Sequence, residues 1–461
     1  MKIVIKGLGA VKQASIDLTK RLTVFCGHNN TGKTYVSYII YSLTCGKRFT
    51  PKIMSDKELQ QLVEKKHLTI TLELNDICNY RKEILKNIED NLNELFGISK
   101  EQANKYFNQF SIDFETSDDD LRSKIITEEF DAHLKGTSFQ ININKKKGNL
   151  DVDLDISFKG SLYSNDLDTI RFMTLSNLYN SMALYPIAHS TIFPVERNSI
   201  YTFSKELSIK RNILVDQMQD MSKGIDPLDF LFRRTTRYPQ PIRDGLEIAE
   251  DLGNLQKNES DFKSFGEEIE SELLEGKVSV SNEGEVQFTS LKAKSKKLPI
   301  HLTASIVKTL SSLVFYLKYI AQKGDLIIID EPELNLHPDN QIVLTRIFAR
   351  LLNNGFRLLI STHSDYIIRE INNLIMLSSK KDSIKKLRED FGYKANEYIP
   401  YSEVNAYYFA YKTKNIVSVR PLSVTEEGFE VPSIDDTIDK LNNTSEELFY
   451  AIKNEELYEN S

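Results

Sequence analysis

The sequence predicts an α/β protein built on a mixed sheet, because strand and helix patterns alternate at both ends of the chain. In the final third, the apolar runs DLIIID and FRLLIST are separated and flanked by helical patterns at 303–322, 339–353 and 364–372. Strands that alternate with helices are typical of parallel βαβ units. At the N-terminus, IVIKGLGAVKQASIDL and RLTVFCG predict two or three further strands, the last of which enters a glycine-bounded loop.

The chain between these ends carries weaker patterns. Residues 50–135 are polar, with helical patterns in KELQQLVEKKH and NYRKEILKNIEDNLNELFG, so we expect an inserted lobe or a helical cap on the core. The stretch 137–160 alternates with period two around Lys-Lys-Lys-Gly, which predicts a hairpin. Residues 200–275 are largely helical in pattern, and KVSVSNEGEVQFTSL predicts a second hairpin that turns at Asn282-Glu283-Gly284. Beyond 374 we expect strands in EVNAYYFAYKT and NIVSVRPLSV, then a polar helix.

Size and composition narrow the class of protein. The 461 residues and 53.0 kDa suffice for two or three lobes, or for one domain with a large insertion. Hydrophobic residues make up 40% of the chain and charged residues 27%, which is typical of a soluble globular protein. No stretch approaches the length of a membrane span, and the N-terminus lacks the pattern of a secretion signal. We therefore expect a cytoplasmic protein with no membrane partner.

The cysteines and the charge balance exclude further classes. Cys26, Cys45 and Cys78 are odd in number and lack CxxC spacing, which argues against a disulfide framework and a zinc site. The net charge of −7 does not call for a nucleic-acid partner. Local basic clusters are more typical of solvated surface than of a phosphate track, since no aromatic residues interleave with them. These clusters are Lys145 to Lys147; Arg233, Arg234 and Arg237; and Lys292, Lys294, Lys296 and Lys297.

The loop at 27–34 reads GHNNTGKT and fits GxxxxGK[ST], with an apolar strand before it and a helix after it. The backbone N–H groups of such a loop cradle phosphates at a helix N-terminus. We expect Lys33 to reach the β- and γ-phosphate oxygens and the Thr34 hydroxyl to bind Mg²⁺. The loop residues predicted to bind the nucleotide are Gly27, Asn29, Asn30, Thr31, Gly32, Lys33 and Thr34.

A second segment, LIIIDEPELNLHPDNQ at 326–341, places two acids directly after a buried strand. Asp330 ends the strand and can reach the metal from the carboxyl edge of a parallel sheet, where ligands bind in such folds. Glu331 projects one residue further and can orient or deprotonate the water that attacks the γ-phosphate. Adjacent acids near a triphosphate are tolerated when Mg²⁺ and a lysine offset their repulsion.

The long gap between these two segments, together with DEPELNLHP and STHS, resembles the ABC-type ATPases of the SMC, RecF and OLD-nuclease group. More narrowly, it resembles the stand-alone AAA-family ATPases of bacterial anti-phage systems such as PARIS, Septu and related retron modules. The resemblance covers 1–45 and 295–375. It implies that Lys33 and Thr34 are Walker A residues, that Asp330 is the Walker B aspartate and that Glu331 is the catalytic glutamate. His363, after the strand RLLIST, then matches the switch histidine that contacts the γ-phosphate.

The same resemblance implies residues at an interface between two ATPase heads. Segment 333–338 corresponds to the D-loop, with Asn335 and His337 as interface candidates; an ordinary turn capped by Pro338 is the alternative. The signature loop, a Ser-Gly-rich turn in the family, here reads HLTASIVKTLSSL and has no glycine. Ser305 is the best candidate for the signature serine and Thr303 the alternative, and Lys308 could add charge. A loop without glycine allows less close backbone approach, so dimer closure is a weaker inference than nucleotide binding.

A fourth segment, STIFPVERNSIYTFSKEL, is similar to a Pro-x-Glu-Arg stretch in such ATPases. Glu196 and Arg197 could occupy the place of the Q-loop glutamine, which links the metal site to the helical lobe, and Arg197 is counted among the cofactor-binding candidates. A salt-bridged core arginine is the alternative.

The resemblance predicts a P-loop ABC-type ATPase head with a mixed sheet and an inserted helical and β lobe. The expected division is 1–45 and 295–375 for the head, 46–190 for the inserted lobe with its hairpin, 191–294 for a helical lobe with a hairpin, and 376–461 for a C-terminal α/β extension.

The expected activity is hydrolysis of Mg²⁺-ATP by a protein that dimerises head to head or assembles further. It would act as a sensor or scaffold for a separate effector, expected to be a nuclease, with DNA or a phage protein as trigger. The alternative is an SMC- or RecF-like DNA repair or maintenance ATPase, although the helical patterns at 57–110 are too short for a long coiled-coil arm. A transporter-type cassette is disfavoured by the large insertion.

Overall fold

The computed structural model describes residues 1–45, 54–135, 138–158, 160–187, 189–203, 238–281, 284–292 and 296–459. The described strands are β1 (Lys2–Leu8), β2 (Val11–Asp17), β3 (Leu22–Gly27), β4 (His67–Thr71), β5 (Ser111–Phe114), β6 (Phe130–Lys135), β7 (Phe139–Lys145), β8 (Asp151–Phe158), β9 (Ser190–Phe193), β10 (Gly276–Val280), β11 (Val286–Ser290), β12 (Lys297–Pro299), β13 (Leu326–Asp330), β14 (Arg357–Ser361), β15 (Val404–Thr413) and β16 (Ile416–Pro421).

The described helices are α1 (Lys33–Cys45), α2 (Asp56–Lys65), α3 (Leu74–Asp90), α4 (Leu92–Phe96), α5 (Lys100–Tyr106), α6 (Asp118–Thr127), α7 (Ser164–Ala183), α8 (Gln240–Leu255), α9 (Lys263–Glu272), α10 (Ser305–Tyr319), α11 (Pro338–Asn353), α12 (Asp365–Met376), α13 (Asp382–Asp390) and α14 (Pro432–Glu459). No helix in the described part of the chain is both long and apolar enough to cross a membrane.

A nine-stranded mixed sheet forms the centre of the fold, in the order β5-β1-β2-β16-β15-β3-β14-β13-β9. The strands from β15 to β9 run parallel, while β16, β1 and β5 introduce antiparallel pairings. All residues of β3, β13 and β14 are buried. Continuous burial explains why their sequences are unbroken apolar runs, as expected for parallel strands covered on both faces.

Two hydrophobic cores lie on opposite faces of this sheet. Residues that alternate along β13 and β14 enter one core or the other: Ile327 and Leu358 pack with α10, α11 and α12, whereas Ile328 and Leu359 pack with α1. This layered packing brings the start of α1 and the ends of β13 and β14 to the same edge of the sheet, which is the arrangement that the site requires.

The inserted lobe has its own core. Its antiparallel sheet runs β4-β8-β7-β6, and its buried face packs with α2, α3, α6 and α7. Along β7 the side chains alternate strictly between buried and exposed, which is the pattern of a sheet covered on one face. A third sheet, β10-β11-β12, is antiparallel.

The predicted α/β fold with a mixed sheet and an inserted helical and β lobe is confirmed, as are both hairpins. Three strands lie in the stretch that was expected to be helical, namely β4, β5 and β6. β5 pairs with β1 at the edge of the central sheet. Segment 376–461, expected to form an extension, supplies β15 and β16 to the same sheet, with β15 directly beside β3.

Some expectations fall outside the described residues. These are the basic cluster Arg233, Arg234 and Arg237, the turn residues Asn282 and Glu283, and Lys294 of the third basic cluster.

Candidate functional site

The loop between β3 and α1 has a backbone that only glycine accommodates at its two ends. Gly27 has φ +123°, and a Cβ there would lie 2.1 Å from the backbone oxygen of Phe409 on β15. Gly32 has φ +86°, and a Cβ there would lie 2.8 Å from a methyl group of Val11. L-residues rarely adopt this region, so both glycines are required by conformation and by space.

The remaining loop residues divide into two groups. Thr31 is buried and donates its hydroxyl to the His28 carbonyl at 2.7 Å, which stiffens the turn. Asn29 and Asn30 are exposed, and the Asn30 carbonyl accepts a hydrogen bond from the Tyr411 hydroxyl at 2.7 Å. The C-terminal strand β15 therefore braces the loop from one side.

Lys33 follows the glycine loop, and its side chain folds back onto the carbonyls of that loop. Its ammonium donates to the carbonyls of Gly27 and His28 at 3.2 and 2.8 Å, and the residue is 6% exposed. Burial lowers the pKa of Lys33 to about 8, against the opposing pull of Asp330 and Glu331. A buried ammonium whose nearest partners are carbonyls gains from any anion brought to the loop, as phosphate would be.

Two hydroxyls bind the Asp330 carboxylate. The Thr34 hydroxyl donates to Asp330 Oδ2 at 2.7 Å across 296 positions of sequence, and the Ser361 hydroxyl donates to Asp330 Oδ1. Ser361 pairs with Asp330 in the parallel register of β13 and β14. Mg²⁺ prefers oxygen ligands and usually takes one or two from protein beside water and phosphate. The Thr34 hydroxyl and the Asp330 carboxylate fit that donor set.

Glu331 stands in a left-handed conformation, with φ +48°. Its N–H donates to the Ser361 carbonyl at 3.0 Å, and its carboxyl group is half-buried. Burial raises the pKa of Glu331, and the adjacent Asp330 raises it further. A non-glycine residue in this region costs about 1–3 kcal/mol, so neighbouring contacts must hold the turn in place.

Arg197 supplies those contacts. Its guanidinium donates to the carbonyls of Asp330 and Glu331, both at 2.6 Å, and to Pro194 at 3.0 Å. Hydrogen bonds to charged groups contribute about 1.5–3 kcal/mol each, which is enough to offset the strain at Glu331. Burial lowers the pKa of Arg197 to about 10, so it stays charged at neutral pH. The structure thus commits Arg197, expected among the cofactor-binding residues, to backbone carbonyls of the acidic turn.

His363 follows β14 and lies half-buried near the loop. Burial, with the charge of Lys33, lowers the pKa of His363 to about 4, so the ring is neutral at pH 7. The His363 backbone N–H donates to Glu333 Oε1 at 2.6 Å, and the Thr362 hydroxyl donates to Glu333 Oε2 at 2.9 Å. Glu333 was expected to face a neighbouring subunit, but its carboxylate instead binds Thr362 and His363 of the same chain.

The two interface candidates of the predicted D-loop, Asn335 and His337, are exposed. Asn335 has φ +61° and donates its side-chain amide to the Thr309 hydroxyl on α10 at 3.2 Å. His337 caps the N-terminus of α11 by accepting the Asp339 N–H at 3.4 Å. Both remain accessible, and the contact with Thr309 places Asn335 against α10.

Ser305 is the first residue of α10 and is exposed, as is Ala304 before it. Ala304 cannot cap the helix with its side chain, and Thr303, the alternative candidate, donates its hydroxyl backwards to the Ile300 carbonyl at 2.6 Å. Lys308 is half-buried one turn on. The first N–H groups of α10 therefore face the surface, where they favour an anion.

The structure brings the glycine loop, Asp330, Glu331 and His363 to one edge of the sheet, whereas Ser305 lies at a separate exposed helix end. Two features of the site were not predicted, namely the contact of Ser361 with Asp330 and the binding of the Glu333 carboxylate to the turn after β14. Ser361 left a weak signal, because it is a polar residue at the end of a buried apolar strand, next to the strand that ends in Asp330. The orientation of Glu333 left none.

Comparison with known proteins identifies the family. The AAA ATPase domain family matches residues 1–368, so the chain belongs to this family of ATPases. No curated protein matches the sequence.

Two solved structures are similar over most of the chain. One is the SMC head bound to the C-winged helix domain of ScpA, with 12% identity, coverage of 92% of this chain and 98% of that one, and a TM-score of 0.35. The other is the SMC head domain from Thermotoga maritima, with 10% identity, the same coverages and a TM-score of 0.28.

Proposed function

We propose that the protein is an ABC-type, Mg²⁺-dependent ATPase that binds ATP between the loop at 27–34 and the ends of β13 and β14. The observation that carries this proposal is the 2.7 Å hydrogen bond from the Thr34 hydroxyl to Asp330, which joins the two predicted motifs at one point. The family match to an AAA ATPase domain supports it.

The phosphates would lie along the loop. The N-terminus of α1 follows this loop, and the backbone N–H groups of a helix N-terminus favour an anion such as phosphate. Lys33 supplies a positive charge, and a phosphate oxygen can replace the two carbonyls that its ammonium now binds. When bound, Mg²⁺ would neutralise charge on the β- and γ-phosphates, held by Thr34 and Asp330. Ser361 fixes the second oxygen of Asp330, which orients the carboxylate for this task.

Glu331 would orient and deprotonate the attacking water. Burial and the adjacent Asp330 raise the pKa of Glu331, which makes its carboxylate a stronger proton acceptor, and Arg197 holds its backbone in the turn that projects it beyond Asp330. His363 is neutral at pH 7 because its pKa is lowered, and its ring N–H would donate a hydrogen bond to the γ-phosphate. A neutral ring can be buried there without the free-energy cost of removing a charged ring from water.

This proposal is tested by the hydrolysis of ATP by the purified protein with Mg²⁺ and with excess chelator. We expect hydrolysis with Mg²⁺, near-complete loss with chelator, and a reduction of about tenfold or more in Thr34→Val, which lacks the hydroxyl ligand. Thr69→Val, at an exposed threonine on β4, is the matched control. Hydrolysis that survives the chelator, or a Thr34→Val rate equal to that of the wild type, would contradict the proposal.

A second subunit would complete the site. A head-to-head dimer would let α10 of one subunit meet the γ-phosphate bound by the other. Two exposed features support it, namely the start of α10 with Ser305 and the pair Asn335 and His337. Such an interface is isologous, so each subunit would give and receive the same contact.

Helix α14 offers a surface for further assembly with copies of this chain. All of residues 441–453 are exposed. On one face of the helix, Leu441, Leu448 and Ile452 are each more than 60% exposed, and the flanking positions Thr444 and Ala451 are uncharged. Contact with a second copy of this face would remove these exposed apolar side chains from water, which supports self-association.

The proposed role is control of a separate nuclease effector in anti-phage defence. It rests on the resemblance carried by DEPELNLHP and STHS. Co-purification with Glu331→Gln tests it, because a variant that binds but does not hydrolyse ATP should retain an effector. A retained nuclease supports this role, and loss of every partner in the presence of ATP counts against it.

The alternative is an SMC- or RecF-like ATPase that acts on DNA. The described helices of the inserted lobe are short for an arm, since the longest of them, α7, runs for 20 residues. Salt-dependent DNA binding that is lost on substitution of Arg233, Arg234 and Arg237 would favour this alternative.

A further inference from the structure

The turn after β13 contains a second acid that the proposed reaction does not use. Glu333 follows Pro332 and lies half-buried, with both carboxylate oxygens directed at the turn after β14. One oxygen accepts the backbone N–H of His363 at 2.6 Å, and the other accepts the Thr362 hydroxyl at 2.9 Å. The carboxylate therefore joins two segments that are 30 residues apart.

The other hydrogen bonds of the turn that holds His363 are made by the residues on either side of it, and the Thr362 N–H, for example, donates to the Phe25 carbonyl at 2.9 Å. The Thr362 hydroxyl accepts the Ser364 N–H at 3.0 Å, and the Ser364 hydroxyl donates to Gln341 on α11 at 2.5 Å. Those bonds hold Thr362 and Ser364, on either side of the histidine. The hydrogen bond to Glu333 holds the backbone of His363 itself, which is the point from which its imidazole projects.

We propose that Glu333 is a positioning residue, which sets His363 at the angle at which its ring meets the γ-phosphate. This inference rests on the proposed ATPase function and goes beyond it, since it gives a second role to the acidic turn. Asp330 and Glu331 act on the metal and the water, while Glu333 acts through the histidine.

A carboxylate suits this position better than an amide. Glu333 must accept two hydrogen bonds on two oxygens, and a glutamine has one oxygen and an NH₂ group that cannot accept. In Glu333→Gln the one amide oxygen can accept either the His363 N–H or the Thr362 hydroxyl, and any hydrogen bond that is kept loses the negative charge that strengthens it. Burial raises the pKa of Glu333, while the hydrogen bonds from the His363 N–H and the Thr362 hydroxyl act in the opposite direction and favour the carboxylate.

Kinetics of four variants test the proposal: Glu333→Gln, Thr362→Val, His363→Ala and the double variant Glu333→Gln/His363→Ala. We expect Glu333→Gln to lower kcat about tenfold with KM for ATP unchanged, because the contact matters in the transition state. The double variant should equal His363→Ala, since a positioning residue has no effect once the residue that it positions is gone. Thr362→Val should lower kcat less and keeps the test valid if Glu333→Gln does not fold.

Glu370→Gln is the matched control. Glu370 is also a buried acid, and it binds Arg346 on α11, away from the site. This variant should reduce the thermal midpoint of unfolding while its kcat stays near wild type. Wild-type kcat in Glu333→Gln, a change confined to KM, or effects of the two single variants that multiply in the double variant would each overturn the proposal.

Hydrogen exchange separates this proposal from the proposed function. The His363 amide should exchange faster in Glu333→Gln than in the wild type, in peptides that cover 361–364, whether or not ATP is hydrolysed. A wild-type protein without ATPase activity would refute the proposed function, whereas unchanged exchange in these peptides would refute the role of Glu333.

Discussion

The acidic turn after β13 and the N-terminus of α10 represent opposite kinds of site. In the turn, Asp330 accepts two hydroxyls, Arg197 holds two carbonyls, and Glu333 binds the neighbouring turn. At α10, Ser305 and Ala304 are exposed, and the helix begins without a side-chain cap. One region is completed by its own chain, and the other presents N–H groups to the surface.

This difference indicates how the work is divided. Residues that must hold a metal and a water to within fractions of an ångström are best fixed in advance by the fold. A helix N-terminus that faces the surface can instead bind an anion that is held by another molecule. The comparison therefore predicts large catalytic losses in the turn and its partner loop, and smaller, assembly-dependent losses at α10.

The largest effect is expected from Lys33→Ala in the loop. Removal of the buried charge should reduce ATP hydrolysis by about a thousandfold or more and weaken ATP binding, because the phosphates lose their fixed cation. Steady-state hydrolysis and titration with a fluorescent ATP analogue measure both. Lys57→Ala, at an exposed lysine on α2, should leave both unchanged.

The second effect concerns the turn itself. Glu331→Gln should lower kcat by about a hundredfold or more while ATP binding is kept, because the amide cannot accept the proton of the water. Single-turnover hydrolysis and equilibrium binding separate the two quantities. Glu389→Gln, on the exposed face of α13, is the control, and wild-type kcat in Glu331→Gln would remove it from its catalytic role.

A smaller effect is expected at α10. Ser305→Glu places a negative charge where the partner's γ-phosphate would lie, so the rate of ATP hydrolysis should fall about tenfold. The ratio of variant to wild-type rate should fall further when the protein is diluted, because the weakened dimer dissociates more readily. Ser383→Glu makes the same change at the exposed start of α13 and should have no effect. Equal losses in the two variants would mean that the start of α10 is an ordinary surface.

The smallest effect is on stability. Because the pKa of His363 is lowered from 6.5 to about 4 in the folded chain, the unfolded chain binds the extra proton between these values. Stability from this group is present above pH 6.5 and lost as pH falls towards 4. The wild type should therefore lose more of its unfolding midpoint between pH 7 and pH 5 than His363→Gln does, in denaturant titrations. Parallel losses would show that His363 has an ordinary pKa.

Sequence patterns predicted the parallel core and both halves of the site, because buried parallel strands leave unbroken apolar runs and the phosphate loop needs its glycines. They did not predict that β15 lies beside β3, since strand order is set by tertiary packing rather than by periodicity. Nor did they predict the three strands in the polar insertion, where alternation is short and mixed with helical residues. The inward course of Glu333 depends on the positive φ of Glu331, which no local pattern signals.

Mixing two impaired variants tests the central claim most directly, namely that each site is shared by two chains. Lys33→Ala lacks the loop charge but keeps an unchanged start of α10, whereas Ser305→Glu keeps the loop but carries a repelling charge at the start of α10. In a mixed dimer, the loop of the Ser305→Glu chain meets the unchanged α10 of the Lys33→Ala chain, so one of the two sites is intact. Equal amounts that pair at random should recover about a quarter of wild-type ATPase activity, since half of the dimers have one of two sites intact. A mixture no more active than the mean of its two components would contradict the shared site.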